Sequence, residues 1–140
     1  MKKLILVLAA LGYIATVTTA KTTFSITKTS KMVVLSEDKH FACIEACDTC
    51  IASCKKVVAV CAKEKNAKMA ECKKLCKECI TVCTNTVKLM KEKSANCKNK
   101  CLECAKVCEK CATECDKFDT ADCKKCAIDC RNAANHCRGM

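Results

Sequence analysis

The sequence predicts an all-α protein, an antiparallel up-down-up-down four-helix bundle with a cysteine-lined core. Its 140 residues include no proline and only two glycines, so the usual breakers of helices are almost absent. Nineteen cysteines recur three or four positions apart, the spacing that places side chains on one face of an α-helix. Short polar stretches divide this pattern into four segments, and short connections make neighbouring helices antiparallel.

The N-terminal region precedes these segments and has a different pattern. Two lysines stand before an apolar stretch, which is followed by small residues up to Ala20. This order is typical of a cleavable secretory signal peptide, predicted over residues 1–20, and the stretch is shorter than the roughly 20 apolar residues of a membrane span. We therefore expect an exported protein, periplasmic or secreted, whose mature chain has no membrane span. Residues 21–35 are predicted as a flexible N-terminal segment and residues 36–140 as the bundle.

Capping signals suggest where each helix begins and ends. Serine, asparagine and threonine are favoured N-caps, acids stabilise a first turn, and glycine often follows a last turn. The predicted helices run from Ser36 to about Lys63, from Asn66 to about Glu92, from Ser94 to about Phe118, and from Asp119 or Thr120 to just before Gly139.

The cysteines keep a seven-residue repeat within each predicted helix. All of them fall on positions a and d of the heptad, which face the shared interior of a bundle. Aliphatic residues flank this stripe and supply ordinary hydrophobic stabilisation. The candidate metal ligands of the interior are Cys43, Cys47, Cys50, Cys54, Cys61, Cys72, Cys76, Cys79, Cys83, Cys97, Cys101, Cys104, Cys108, Cys111, Cys115, Cys123, Cys126, Cys130 and Cys137.

Several interpretations of a thiol-lined interior compete. Disulfides are the default in an exported cysteine-rich chain, but cysteines three or four apart in one helix have Cβ atoms too far apart to pair, and an odd count leaves one thiol over. Disulfides between helices stay open. A structural zinc site needs four ligands and no continuous line of thiols. The spacing C-x3-C-x2-C, from Cys43 to Cys50, also occurs in iron-sulfur proteins, but there the ligands sit on loops.

Copper in its reduced state fits the pattern best. Cu(I) is a soft ion that prefers thiolate ligands. Cysteine pairs four apart in one helix can each hold an ion, and thiolates that bridge neighbouring ions would let the tube hold many. The sequence therefore predicts multiple Cu(I) ions per chain.

One end of the predicted tube carries weaker ligands. Antiparallel packing brings His40, Met90, His136 and Cys137 to the same end. Imidazole and thioether bind Cu(I) less strongly than thiolate, which suits the passage of an ion inward, so we interpret this end as the mouth. The alternative is that Met90 only covers the core and His136 faces solvent. At the opposite end, Met69 and Phe118 indicate a hydrophobic plug.

Charge and composition exclude other functions. The formal net charge is +11, but lysines alternate with acids, arginines number two and aromatic residues make up 3% of the chain, so nucleic-acid binding is not expected. We find no Ser/His/Asp set, no paired catalytic carboxylates and no glycine-rich phosphate loop in the sequence, so we expect no enzyme.

These motifs make the chain similar to the copper storage proteins. The matching residues are H-x2-C-x3-C-x2-C-x3-C from His40 to Cys54, the C-x3-C-x2-C-x3-C blocks within 72–83 and 97–115, and C-x2-C-x3-C-x6-C at 123–137. The resemblance covers about residues 37–138. It implies a four-helix bundle that stores Cu(I) and is not an enzyme, with a tendency to form tetramers. The family has exported and cytosolic branches, and the predicted signal peptide is similar to the exported branch, although it lacks a twin-arginine signal.

Two other functions stay open from the sequence. One is an exported structural or interaction protein stapled by disulfides between helices. The other is detoxification of thiophilic metals in general, which needs the same interior and differs only in the metal present.

Overall fold

Four helices make up the part of the chain that the structure describes. A computed structural model describes the backbone of residues 23–63 and 67–140, and the side chains of residues 37–63 and 67–140. The elements are α1 (Thr23–Lys63), a 3₁₀ turn (Ala67–Met69), α2 (Ala70–Lys91), α3 (Cys97–Cys115) and α4 (Ala121–Arg138). The predicted signal peptide, residues 1–20, lies outside the described residues.

The helices pack as a square, each against two neighbours. Helices α1 and α3 both make extensive contact with α2 and α4. Neighbours are antiparallel, because the start of α1 meets the end of α4 at Cys43 and Cys137, and Cys54 further along α1 meets Cys126 near the start of α4. The predicted all-α, up-down-up-down four-helix bundle is confirmed.

Helix α1 begins earlier than predicted. Its backbone is helical from Thr23, so Ser36 lies inside the helix and does not cap it. The sequence between residues 23 and 36 contains neither proline nor glycine, so nothing in it stops a helix from extending towards the N-terminus. The division into a flexible segment at residues 21–35 and a bundle at residues 36–140 stays a prediction.

The other helix ends agree with the predictions to within a few residues. Helix α4 follows Thr120, whose side-chain oxygen accepts a hydrogen bond from the Cys123 amide at 3.2 Å, as expected of an N-cap. Helix α3 starts later than Ser94 and ends before Phe118. Gly139 ends α4 with φ −72°, so it does not take the left-handed conformation for which glycine is favoured at this place.

The turn after α2 uses a left-handed lysine. Lys93 has φ 50°. Its amide donates to the Met90 carbonyl at 3.1 Å, and the Ser94 amide donates to the Leu89 carbonyl at 3.0 Å. This is the hydrogen-bond pattern of a Schellman motif, in which glycine usually takes the left-handed position. The motif turns the chain sharply between α2 and α3.

Small side chains fill the interior. Besides the cysteines, the core contains buried alanines, five of which lie on α3 and α4: Ala105, Ala112, Ala127, Ala133 and Ala134. Small residues let helices approach closely, since interaxial distance depends on the side chains at the contact. Among the described helices, none is both long enough and apolar enough to cross a membrane.

Candidate metal centre

All nineteen cysteines of the chain are buried in the bundle. Most have no exposed surface, and the two most exposed are Cys97 at 7% and Cys61 at 6%. This follows from the heptad pattern, because positions a and d of each helix face the other three helices. The interior is therefore a continuous column of sulfur.

Sulfur atoms of neighbouring helices lie at or near van der Waals contact. Between α2 and α3 the Sγ–Sγ distances are 3.6 Å for Cys72–Cys115, 3.6 Å for Cys76–Cys111, 3.6 Å for Cys79–Cys108 and 3.5 Å for Cys83–Cys104. Between α1 and α4 they are 3.5 Å for Cys43–Cys137, 3.4 Å for Cys50–Cys130 and 3.5 Å for Cys54–Cys126. A disulfide bond is about 2.05 Å long, and the described cysteines are free thiols.

These sulfurs form clusters that share members. Four groups of four thiols have all their Sγ atoms within 4.8 Å of one another. In order along the column they are Cys50–Cys79–Cys83–Cys108, Cys50–Cys54–Cys79–Cys130, Cys54–Cys111–Cys126–Cys130 and Cys76–Cys111–Cys115–Cys126. Each group shares two cysteines with the next, so a thiolate in one group also belongs to its neighbour. Ions held in adjacent groups would be bridged by common sulfurs.

Hydrogen bonds among the thiols perturb their acidity. Bonds with neighbouring thiols, that with Cys108 foremost, hold the pKa of Cys50 well below its usual range. Bonds with Cys111 and others raise the pKa of Cys54. A thiolate accepts hydrogen bonds and a thiol donates them, so each deprotonated sulfur is stabilised by protonated neighbours. The cluster can thus hold thiolates, the form that binds metal, without exposing them to water.

One end of the column contains a three-thiol group, Cys97, whose Sγ lies 3.9 Å from that of Cys101, and the residues predicted as a mouth. Cys43, Cys101 and Cys137 form a group within 4.8 Å. Met90, at the end of α2, is 2% exposed. His40 is half-buried, and His136 is exposed and lines a cleft of about 450 Å³ with Asp38 and Lys39, among others.

The opposite end is closed by larger side chains. Met69 is 2% exposed and Phe118 is half-buried against the core. The thiols of this end lie in different surroundings from those of the centre. Burial raises the pKa of Cys123 to about 11, and a hydrogen bond with Cys115 lowers the pKa of Cys72 to about 4.

A polar contact beside the column was not predicted from the sequence. Ser53 on α1 is 4% exposed and Asp129 on α4 is 8% exposed, and the serine hydroxyl donates to the aspartate carboxylate. Lys125 donates to both carboxylate oxygens, at 3.1 and 3.0 Å. A serine and an aspartate flanking cysteines look like surface residues in sequence. Only the heptad phase, which places both beside an interior position, hinted at their burial.

Comparison with known proteins agrees with this interior. The family model described as "Copper storage protein" matches residues 36–140. The chain belongs to the copper storage protein family. A search of curated protein sequences found no match.

Solved structures of similar proteins superpose on the bundle. Cu(I)-bound copper storage protein BsCsp3 is 38% identical to this chain, with a TM-score of 0.70. The match covers 73% of this chain and 97% of the BsCsp3 chain. The apo form of copper storage protein 3 from Bacillus subtilis is 38% identical over 71% of this chain and 95% of its own, with a TM-score of 0.66. Nmul_A1745 from Nitrosospira multiformis is 28% identical, with a TM-score of 0.68, and the match covers 74% of this chain and 95% of the Nmul_A1745 chain.

Proposed function

We propose that the protein binds and stores many Cu(I) ions on the thiolates that line its bundle. The observation that supports this most directly is the chain of four-thiol groups, each of which shares two cysteines with the next. Isolated sites would need separate ligands for every ion, whereas shared thiolates allow many ions in a small volume. Soft thiolate ligands favour Cu(I) over hard cations. The similar structure of BsCsp3 is a Cu(I)-bound form.

An anaerobic titration of the reduced protein with Cu(I), in competition with a chromophoric chelator, tests the storage function. We expect cooperative uptake of many ions per chain before the chelator begins to bind copper. A parallel titration with Zn²⁺ is the control. Tetrahedral zinc needs four ligands per ion, more thiolates than a bridged Cu(I) ion needs, so fewer zinc ions should bind. Uptake of only one or two Cu(I) ions would contradict the proposal.

Two other functions predict different outcomes. A disulfide-stapled structural protein would become fully oxidised to one set of disulfides under air, and counting of free thiols with peptide mapping would detect this. A protein for general detoxification of thiophilic metals would retain several metals when purified from cells, which elemental analysis would detect. Storage of copper predicts thiols that copper protects and copper as the main metal.

We further propose that copper enters at the end formed by His40, Met90 and His136. Three thiols, Cys43, Cys101 and Cys137, form the first group of the column at this end. Met90 offers a buried thioether, and His136, exposed in its cleft, is adjacent in sequence to Cys137. Weaker ligands in front of a thiolate group would pass an ion inward without retaining it.

The mouth is tested by loading rate. Replacing His40 and Met90 by Ala should slow Cu(I) uptake in stopped-flow absorbance while leaving the final number of ions almost unchanged. Met69→Ala is the matched control, because Met69 is as deeply buried as Met90 but belongs to the opposite end. Equal loading rates for both variants would contradict the mouth.

Export, assembly and the absence of catalysis complete the proposal. The N-terminal pattern supports export by a cleavable signal peptide, which N-terminal sequencing of the protein from cell fractions would test. Resemblance to the family supports a homotetramer, to be tested by light scattering. A store whose ions are enclosed by protein has no site for a second substrate, so we expect no enzyme activity.

A further inference from the structure

A core in which one residue type recurs at every turn does not by itself specify how its helices align lengthwise. Helix α4 meets α1 with Cys43, Cys50 and Cys54 against Cys137, Cys130 and Cys126, respectively. If α4 slid by one heptad, Cys43, Cys47 and Cys50 would face Cys130, Cys126 and Cys123. Both alignments place three cysteines opposite three cysteines. The identity of the facing residues therefore does not distinguish the two alignments.

The interface of α1 with α4 is the one that no connection joins directly. The other three pairs of neighbouring helices are consecutive in the chain and are joined by short segments, such as residues 92–96 between α2 and α3. Helices α1 and α4 are the first and the last in the chain, so the conformational freedom of all three connections affects how these two helices align. Their alignment needs a determinant of its own.

A buried hydrogen bond supplies that determinant. Within the described residues, the buried polar side chains are Ser53, Thr86 and Asp129. The hydroxyl of Thr86 donates to the Val82 carbonyl of its own helix at 2.9 Å and links nothing. Ser53 and Asp129 bond across α1 and α4, and both oxygens of Asp129 also accept from Lys125.

The bond exists in one alignment only. A slide of one heptad in either direction would set Asp129 against Ala46 or Val60, neither of which offers a donor. Lys125 lies on the same helix as Asp129 and keeps its contacts in any register, so a slide would cost the buried carboxylate its serine bond. A single buried polar residue can fix the register of helices packed by heptads.

We propose that the Ser53–Asp129 hydrogen bond, supported by Lys125, sets the lengthwise register of α4 against α1. Ser53 and Asp129 stand next to Cys54 and Cys130, whose sulfurs are 3.8 Å apart. The pair therefore positions these thiols within the group that also includes Cys111 and Cys126. Ser53 and Asp129 act through the cysteines and are positioning residues. Only this last step rests on the proposed copper storage.

The test removes the pair without leaving a buried charge. In Ser53→Ala/Asp129→Leu both partners become apolar, and such replacements are often neutral or stabilising. Two controls are matched to it. Thr86→Val removes a buried hydroxyl that links no helices, and Asp116→Asn removes an exposed ion pair with Arg131 between α3 and α4.

The readout is the number of conformations of the reduced, copper-free protein. We expect the double variant to stay helical and to unfold at the same temperature as the wild type or higher, but to show at least two sets of amide resonances for α4 in ¹H–¹⁵N spectra. Both controls should keep one set. A merely stabilising pair would instead lower the unfolding temperature and keep a single set.

Two results would overturn the proposal. One is a double variant with a single set of resonances, and the other is a double variant that does not fold. A Cu(I) titration then separates this inference from the storage function. If the wild type takes up few ions while the double variant still shows two sets of resonances, copper storage fails and the register determinant stands.

Discussion

Replacing Lys93 by glycine should stabilise the fold. Lys93 has φ 50° in the turn between α2 and α3. The left-handed conformation costs a residue with a side chain about 1–2 kcal/mol, which glycine avoids. Against this, glycine has more freedom in the unfolded chain, which costs about 0.4–1 kcal/mol. The ion pair of Lys93 with Glu37 is exposed and contributes little.

The net gain is about 0.5–1 kcal/mol, the difference of those two effects. For a domain of this size that corresponds to a rise of about 2–4 °C in the unfolding temperature. Thermal unfolding of the reduced, copper-free protein, followed by circular dichroism at 222 nm, measures the shift.

The neighbouring residue provides the control for this prediction. Glu92 has φ −80°, a conformation in which any residue is unstrained, so Glu92→Gly should destabilise by about 0.5–1 kcal/mol. A Lys93→Gly variant that is no more stable than the wild type would refute the reasoning, because the left-handed strain would then be absent. Copper capacity should be the same in both variants, since neither residue is a ligand.

The remaining predictions concern the copper column. Cys54→Ala should lose about two bound ions, because Cys54 belongs to two four-thiol groups, whereas Cys123→Ala should lose fewer. Gel filtration followed by elemental analysis counts the bound ions. Equal losses in the two variants would argue against shared thiolates. Cu(I) affinity should rise with pH between 6 and 8, because burial raises the pKa of Cys123 to about 11 and each ion that binds a thiol must displace its proton. Competition with a chelator at three pH values measures this, and an affinity that is constant across them would contradict it. Cys61→Ala and Cys61→Ser should leave the four-thiol groups that include Cys50 intact, so cooperative Cu(I) uptake should persist in both variants. Loss of that cooperativity would show that loading begins at the end opposite the mouth.

The sequence predicted those features that depend on local periodicity. A repeat of cysteine every three or four residues determines which face of each helix is buried, and all nineteen thiols are buried as expected. Short connections predicted the antiparallel order. The N-cap at Thr120 was also found, because capping depends on a few adjacent residues.

Features that depend on contacts between distant residues were not predictable. The left-handed Lys93 carries no sequence signal, since glycine and asparagine are the residues that mark such a position. The bond between Ser53 and Asp129 joins residues far apart in the chain, and a heptad pattern leaves their alignment open. The start of α1 at Thr23 was missed because Ser36 with two acids looks like a helix start even within a longer helix.

Because the thiols repeat with the heptad, the number of copper ions that the bundle can hold depends on the length of its helices. One heptad spans about 10.5 Å of helix and offers two inward positions, so a layer of four helices adds about eight sulfurs at each repeat. The shortest helix, α4, has 18 residues and thus limits how many complete layers the bundle holds. Insertion of seven residues into every helix would enlarge the store without new chemistry, whereas insertion of one, two or five residues would turn the thiols beyond the insertion away from the interior.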